Sequence, residues 1–228
     1  MDGDRSGIAT LEDRERIAYE GLTLHAVRDG AALLTSLSVC IPRGMRVLVT
    51  GPNEAARAAL FRATAGIGSR GTGRIARPSL DAIFFVPQQP YLVPGTLRQL
   101  LAVAEQEQER SDEHILAAMS EGGLDSVVQH AGGLDVEHDW PAMLSLGELQ
   151  ALAIVRVLLA RPPFAVLDRA STALGSARLA QYLERLTGNS ITYINFDDAE
   201  HLSELYDAVL EIDNSGAWNW RTLRSGVV

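Results

Sequence analysis

Met45-Arg46-Val47-Leu48-Val49-Thr50, followed by Gly51-Pro52-Asn53-Glu54-Ala55-Ala56-Arg57-Ala58-Ala59, sets the frame for the whole chain. The first six residues are a compact apolar run of the kind buried on both faces of a parallel sheet. Gly51 to Asn53 breaks that run, and Ala55 to Ala65 is built largely from strong helix formers, with Leu60 and Phe61 available for a core. Strand, glycine-opened loop and helix in this order are the construction of a phosphate-binding loop. Such a loop works because backbone N–H groups close around the anion, a lysine supplies a compact charge and a Ser/Thr hydroxyl holds Mg²⁺. Here the chain has no lysine: all 20 basic residues are arginine, and Arg57 and Ala58 occupy the two critical places.

The composition narrows the setting. A chain of 228 residues, 46% hydrophobic, can bury the core of one large domain. Its formal charge of −9 argues against nucleic acid or an anionic membrane surface as a general partner. No run approaches the roughly 20 apolar residues that span a bilayer, so the chain is expected to be soluble and to meet a membrane only through a partner. The single cysteine, Cys40, lies in the alternating stretch Leu33 to Ile41; it excludes an internal disulfide and reads as a packing residue.

Residues 1–15 carry no apolar period and are expected to form a flexible leader, with the fold starting near Arg16. Strands are expected over Ile17 to Leu24, Leu33 to Ile41, Met45 to Thr50 and Ala82 to Val86, with Gly66 to Gly73 as a glycine-rich turn. From Thr96 to about His138 the pattern is helical and polar. Within it Ser111 opens a helix that places Ile115, Leu116 and Met119 on one face, and Glu105 to Arg110 reads as a solvated run. Leu146 to Ala160 is a strongly apolar helix stopped by Pro162 and Pro163, and Phe164 to Asp168 is a strand ending in a carboxylate. Helix (Ser176 to Leu186), strand (Ile191 to Phe196), a short helix (His201 to Tyr206) and two short β pieces complete the chain. This alternation indicates a mostly parallel sheet covered on both faces.

Five segments fall in one order: residues 51–59; Val86-Pro87-Gln88-Gln89-Pro90-Tyr91, with Gly95-Thr96-Leu97-Arg98 behind it; Leu144-Ser145-Leu146-Gly147-Glu148-Leu149-Gln150; Ala165-Val166-Leu167-Asp168; and Ser171-Thr172-Ala173-Leu174. Together they resemble the nucleotide-binding domain of ABC transporters, from about residue 16 to the C-terminus. Within that family they are most similar to subfamily D, the peroxisomal fatty-acyl transporter type, and to its bacterial peptide and cobalamin importer relatives. The resemblance implies an α/β fold: a P-loop NTPase of ABC type with a mostly parallel RecA-like sheet. It adds an N-terminal antiparallel β part and a helical subdomain at about 96–145.

The resemblance also assigns roles. Gly51, Pro52, Asn53, Glu54, Ala55, Ala56, Arg57, Ala58, Ala59 and Gln88 correspond to the nucleotide-binding positions. Asp168 and Gln88 correspond to Mg²⁺ positions, and Ser145, Leu146, Gly147 and Glu148 to the signature presented to a second subunit. At these places the chain departs from the family. Glu54 and Ala56 stand for glycines, Arg57 for the lysine, Ala58 for the metal-binding hydroxyl and Ala59 for the serine after it. Arg169 stands for the catalytic glutamate, Asp198 for the switch histidine and Gly175 for the aspartate after Leu174.

Each change has a chemical consequence. Arg57 keeps the charge but offers a longer planar fork in place of a point-charge ammonium. A cation at 169 cannot accept a proton from water. A Glu54 carboxylate about 4 Å from a phosphate oxygen costs on the order of 4 kcal/mol at an effective dielectric near 20, unless Glu54 turns outward or finds a partner. Asp168 and Arg169 read as a structural pair. The expected function is an ABC-type ATP-binding subunit of a membrane transporter with little or no ATPase activity. ATP and Mg²⁺ are its implied ligands, and a permease and/or a second nucleotide-binding domain, in a homo- or heterodimer, its implied partners. Its expected place is cytoplasmic, peripheral to a membrane. The alternatives are a stand-alone regulatory scaffold on the same fold and a nucleotide binder without hydrolysis.

Overall fold

The computed structural model describes residues 7–102 and 111–223. Among the described residues ten strands form two sheets. The smaller has the order β1 (Ile8–Glu12), β5 (Arg70–Arg77), β2 (Arg16–His25), β3 (Ala32–Pro42). The larger has the order β10 (Trp218–Thr222), β9 (Ala208–Ile212), β4 (Arg46–Thr50), β8 (Thr192–Phe196), β7 (Phe164–Asp168), β6 (Ile83–Val86). Every pairing in the larger sheet is parallel except the closing β9–β10 hairpin.

The central strands are apolar throughout because both faces are covered, and the twofold alternation of their side chains divides the core. Val47 and Val49 of β4, Phe164 and Val166 of β7, and Ile194 and Phe196 of β8 point into one cluster. That cluster joins α1 (Glu54–Thr64) to the smaller sheet through Ala56, Ala59, Leu60 and Phe61. Phe61 meets Phe85 and Phe196 edge-on, with ring centroids 5.8 and 5.7 Å away. Leu48, Ala165, Leu167 and Tyr193 point the other way, into a second cluster built around α6 (Leu146–Ala160). The short helices α2 (Leu97–Leu101), α3 (Asp112–Glu121), α4 (Asp125–His130) and α5 (Trp140–Met143) join it, together with α8 (Ser176–Gly188). One further helical turn, α7 (Ser171–Leu174), packs against α6. The architecture is thus the α/β, mostly parallel P-loop type expected from the sequence, with helices gathered between β6 and α6.

Several expectations need correction. Residues 8–12 are a strand paired in parallel with β5, so the fold begins before Arg16, while residues 1–6 of the expected leader lie outside the described residues. The expected turn at Gly66 to Gly73 runs into β5, which pairs with both β1 and β2. Its glycines allow the strands to meet: a Cβ on Gly71 would overlap the Thr23 carbonyl oxygen, and one on Gly73 (φ +104°) would lie 2.6 Å from that of Gly21. Cys40 is exposed, on the outward register of β3. On α3 only Ile115 and Met119 are buried; Leu116 is exposed, because it falls off their i, i+4 line. The run Glu105 to Arg110 lies outside the described residues. Among the described residues no helix is long and apolar enough to cross a membrane.

Candidate functional site

The loop between β4 and α1 is held by its own backbone demands. Gly51 has φ +111°, and a Cβ there would overlap the carbonyl oxygen of Ile212 at the end of β9. Asn53 caps α1: its Oδ1 accepts from Ala56 N–H at 3.0 Å. Its Nδ2 donates to the carbonyls of Leu33 (3.3 Å) and Asp213 (3.1 Å), tying the loop to β3 and to the β9–β10 turn. The glycine and the asparagine are therefore both required by the fold, independently of any ligand.

The four charged replacements are brought together and pair across the site. The Arg57 guanidinium is buried, its side chain 5% exposed, and donates Nη1 to Asp198 Oδ1 at 2.8 Å and Nη2 to Oδ2 at 3.4 Å. Arg169 reaches from the end of β7 to the start of α1, where its Nη2 lies 2.7 Å from Glu54 Oε2. That contact raises the Arg169 pKa above its ordinary value, chiefly through the hydrogen bond to Glu54. Arg169 is held in the left-handed region, φ 50°, which costs a non-glycine residue on the order of 1 kcal/mol. Glu54 thus finds a partner at the rim. The partner of Arg169 is Glu54, which corrects the expected Asp168–Arg169 pair.

Asp168 carries a different burden. Burial raises its carboxyl above the ordinary 3.8, Arg169 and Arg57 pull it down, and Asp197 pushes it up again. Asp197, itself buried, accepts from the backbone N–H groups of Ser171 (2.8 Å) and Asp198 (2.9 Å), which fixes the turn that delivers Asp198 to Arg57.

A cavity of about 400 Å³ opens over the loop, lined among others by Thr50, Gly51, Pro52, Glu54, Arg57 and Asp198. Glu200, His201 and Glu211 complete its wall, so four acidic residues and one arginine line it. Glu200 and Glu211 were not singled out in the sequence, where nothing distinguishes them from other surface acids. His201 lines the cavity, and the ion pair on Arg57 is made by Asp198. Ala55, Ala56, Ala58 and Ala59 are ordinary helix positions of α1, and none supplies a hydroxyl.

Ser145 to Glu148 lie away from the cavity, at the start of α6. Ser145 is exposed, and its Oγ accepts from Glu148 N–H at 3.3 Å while Glu148 Oε2 accepts from Ser145 N–H at 2.9 Å, a reciprocal capping box. The bond from Ser145 Oγ holds the Glu148 carboxyl below its ordinary 4.5. Gly147 permits α6 to approach α7, since a Cβ would lie 2.9 Å from Ala173 O. Behind this cap is a residue the sequence reading missed. Gln150, fully buried, donates Nε2 to the Gln88 carbonyl at 2.8 Å and so couples α6 to the loop after β6. A lone amide within an apolar helix was the available signal.

Comparison with known proteins agrees with this architecture. The family model described as "ABC transporter" matches residues 34–172, more than half of the chain, so the chain belongs to the ABC transporter family and is an ATP-binding domain of that type. Within the family it lies close to subfamily D. It is 27% identical to the chloroplastic ABC transporter D family member 2 of Arabidopsis thaliana, across 94% of this chain and 37% of that protein. It is 28% identical to the ATP-binding cassette sub-family D member 3 of Rattus norvegicus, across 89% of this chain and 32% of that protein. An uncharacterized ABC transporter ATP-binding protein of Synechocystis is 33% identical across 89% of this chain and 31% of its own length. The chain spans about a third of the length of these relatives.

Membership implies ATP and Mg²⁺ as ligands of the family in general. At the loop of this chain the charged groups are committed to one another. The Arg57 fork is engaged by a carboxylate, Glu54 adds a second carboxylate at the mouth, and residue 58 has no metal-binding oxygen.

Proposed function

We propose that this chain is an ATP-binding domain of a membrane transporter that does not hydrolyse ATP itself and instead completes the site of a second ABC domain. The supporting observation is the Glu54–Arg169 pair: the position that should carry a general base carries a cation, and its charge is spent on the loop helix. The start of α6 keeps an exposed Ser145 at its N-cap, and the partial positive charge of that helix N-terminus can face an anion on a neighbouring subunit. On this reading the working assembly contains a membrane-spanning permease and a competent second domain, and the chain sits at the membrane through them. On the same reading the domain extends from β1 toward the C-terminus, with α2–α5 as its helical subdomain and the loop carrying Gln88 as the part that meets the permease.

The test is ATP hydrolysis by the purified full chain and by its Arg169→Glu variant. The unmodified chain is expected to give no Mg²⁺-dependent turnover. Arg169→Glu alone is expected to restore none, because Ala58 and the Arg57–Asp198 pair remain. Robust turnover by the unmodified chain ends the proposal.

A further inference from the structure

The geometry points to an anion seat that the protein fills with its own side chain: the Asp198 carboxylate occupies the place on Arg57 that a phosphate would otherwise take. This goes beyond the absence of hydrolysis, since it assigns the cavity an internal occupant and a latent ligand class, inorganic and organic polyphosphates.

Three observations carry it. Arg57 is a cation buried to 4% exposure in the wall of an open cavity, with its Nε buried and unpartnered. It stands in the first turns of an 11-residue helix, where the partial positive charge of the N-terminus adds to its own. Its two terminal nitrogens face one carboxylate, as they would face two phosphate oxygens. Asp198 is itself 72% exposed, so it reaches inward from the rim and can be removed without emptying a core. A tethered carboxylate competes at an effective concentration of ~mM or more, enough to exclude a weakly held free anion. Glu54 strengthens the exclusion from the mouth, and Arg169 keeps Glu54 in place.

The two acids sit on the two arginines, each pair joining α1 to a different strand end.

The test uses the full chain and metal-free inorganic tripolyphosphate at millimolar concentration, read by thermal shift and by isothermal titration. The unmodified chain is expected to show neither heat nor shift. Asp198→Asn combined with Glu54→Gly is expected to bind at least tenfold more tightly, and addition of Arg57→Ala to abolish the gain. Where the double variant loses a cooperative melt, Asp198→Ser alone, which keeps the Glu54–Arg169 pair, serves with the same expectation. Equal binding by the unmodified chain, or a folded variant that binds no better, overturns the inference. Neither result bears on ATP turnover, so the proposed function stands or falls separately.

Discussion

Arg57 and Asp198, 141 positions apart in the chain, form a forked ion pair that closes the loop between β4 and α1 onto the end of β8. Its two members differ sharply in setting, with 5% of the arginine side chain and 72% of the aspartate side chain exposed. Removing the aspartate therefore strands a buried cation, whereas the second pair, Glu54–Arg169, is 64% and 28% exposed and is reached by solvent on both sides.

Asp198→Ala is accordingly expected to destabilise the fold by about 1–3 kcal/mol, the cost of a buried donor left unsatisfied. A double-mutant cycle on Glu54 and Arg169 is expected to give a coupling of about 1 kcal/mol or less. Urea unfolding of the single and double variants measures both, and a larger coupling at Glu54–Arg169 would reverse the assignment of which pair holds the loop.

Asp168 predicts a pH dependence. Burial raises its pKa above the ordinary 3.8, so the folded state favours the protonated form. The stability linked to this group is fully present below the unfolded value and is lost as pH rises through the raised folded value. Asp168→Asn should therefore raise the melting temperature at neutral pH, and the gain should vanish in acid. A lower melting temperature at neutral pH would mean that Arg57 and Arg169 outweigh burial.

The α6 cap responds in the opposite direction. Glu148 is held below its ordinary 4.5, so its contribution is present above that value and is lost as pH falls through the lowered one. Ser145→Ala should cost about 1 kcal/mol at neutral pH. With Glu148→Gln, the melting temperature should depend less on pH in acid than in the parent.

Gly51→Ala should destabilise by ~3 kcal/mol or prevent folding, because the new methyl meets the Ile212 carbonyl and the backbone is at φ +111°. Circular dichroism melts of the variant decide between a structural glycine and one kept for an anion. An unchanged melt would favour the anion.

The sequence carried the central sheet because β4, β7 and β8 are apolar runs set in a repeating order with helices, and burial on both faces leaves little ambiguity. It did not show β1, whose Ile8 to Glu12 are largely exposed and depend on parallel pairing with β5. Gly71 and Gly73 concealed β5, because the glycines that let strands approach also resemble a turn. The substituted positions were legible one at a time, whereas the exchange of partners among Glu54, Arg57, Arg169 and Asp198 depends on three strand ends converging. Gln150 was hidden for the same reason: its carbonyl partner, Gln88, lies 62 positions away.

The proposed function requires that this domain contribute architecture without turnover of its own ATP. Single-turnover hydrolysis with the full chain in excess over labelled Mg-ATP tests it most directly. Phosphate release no faster than in buffer is expected, and Mg²⁺-dependent release that disappears in Asp168→Ala would overturn the proposed function.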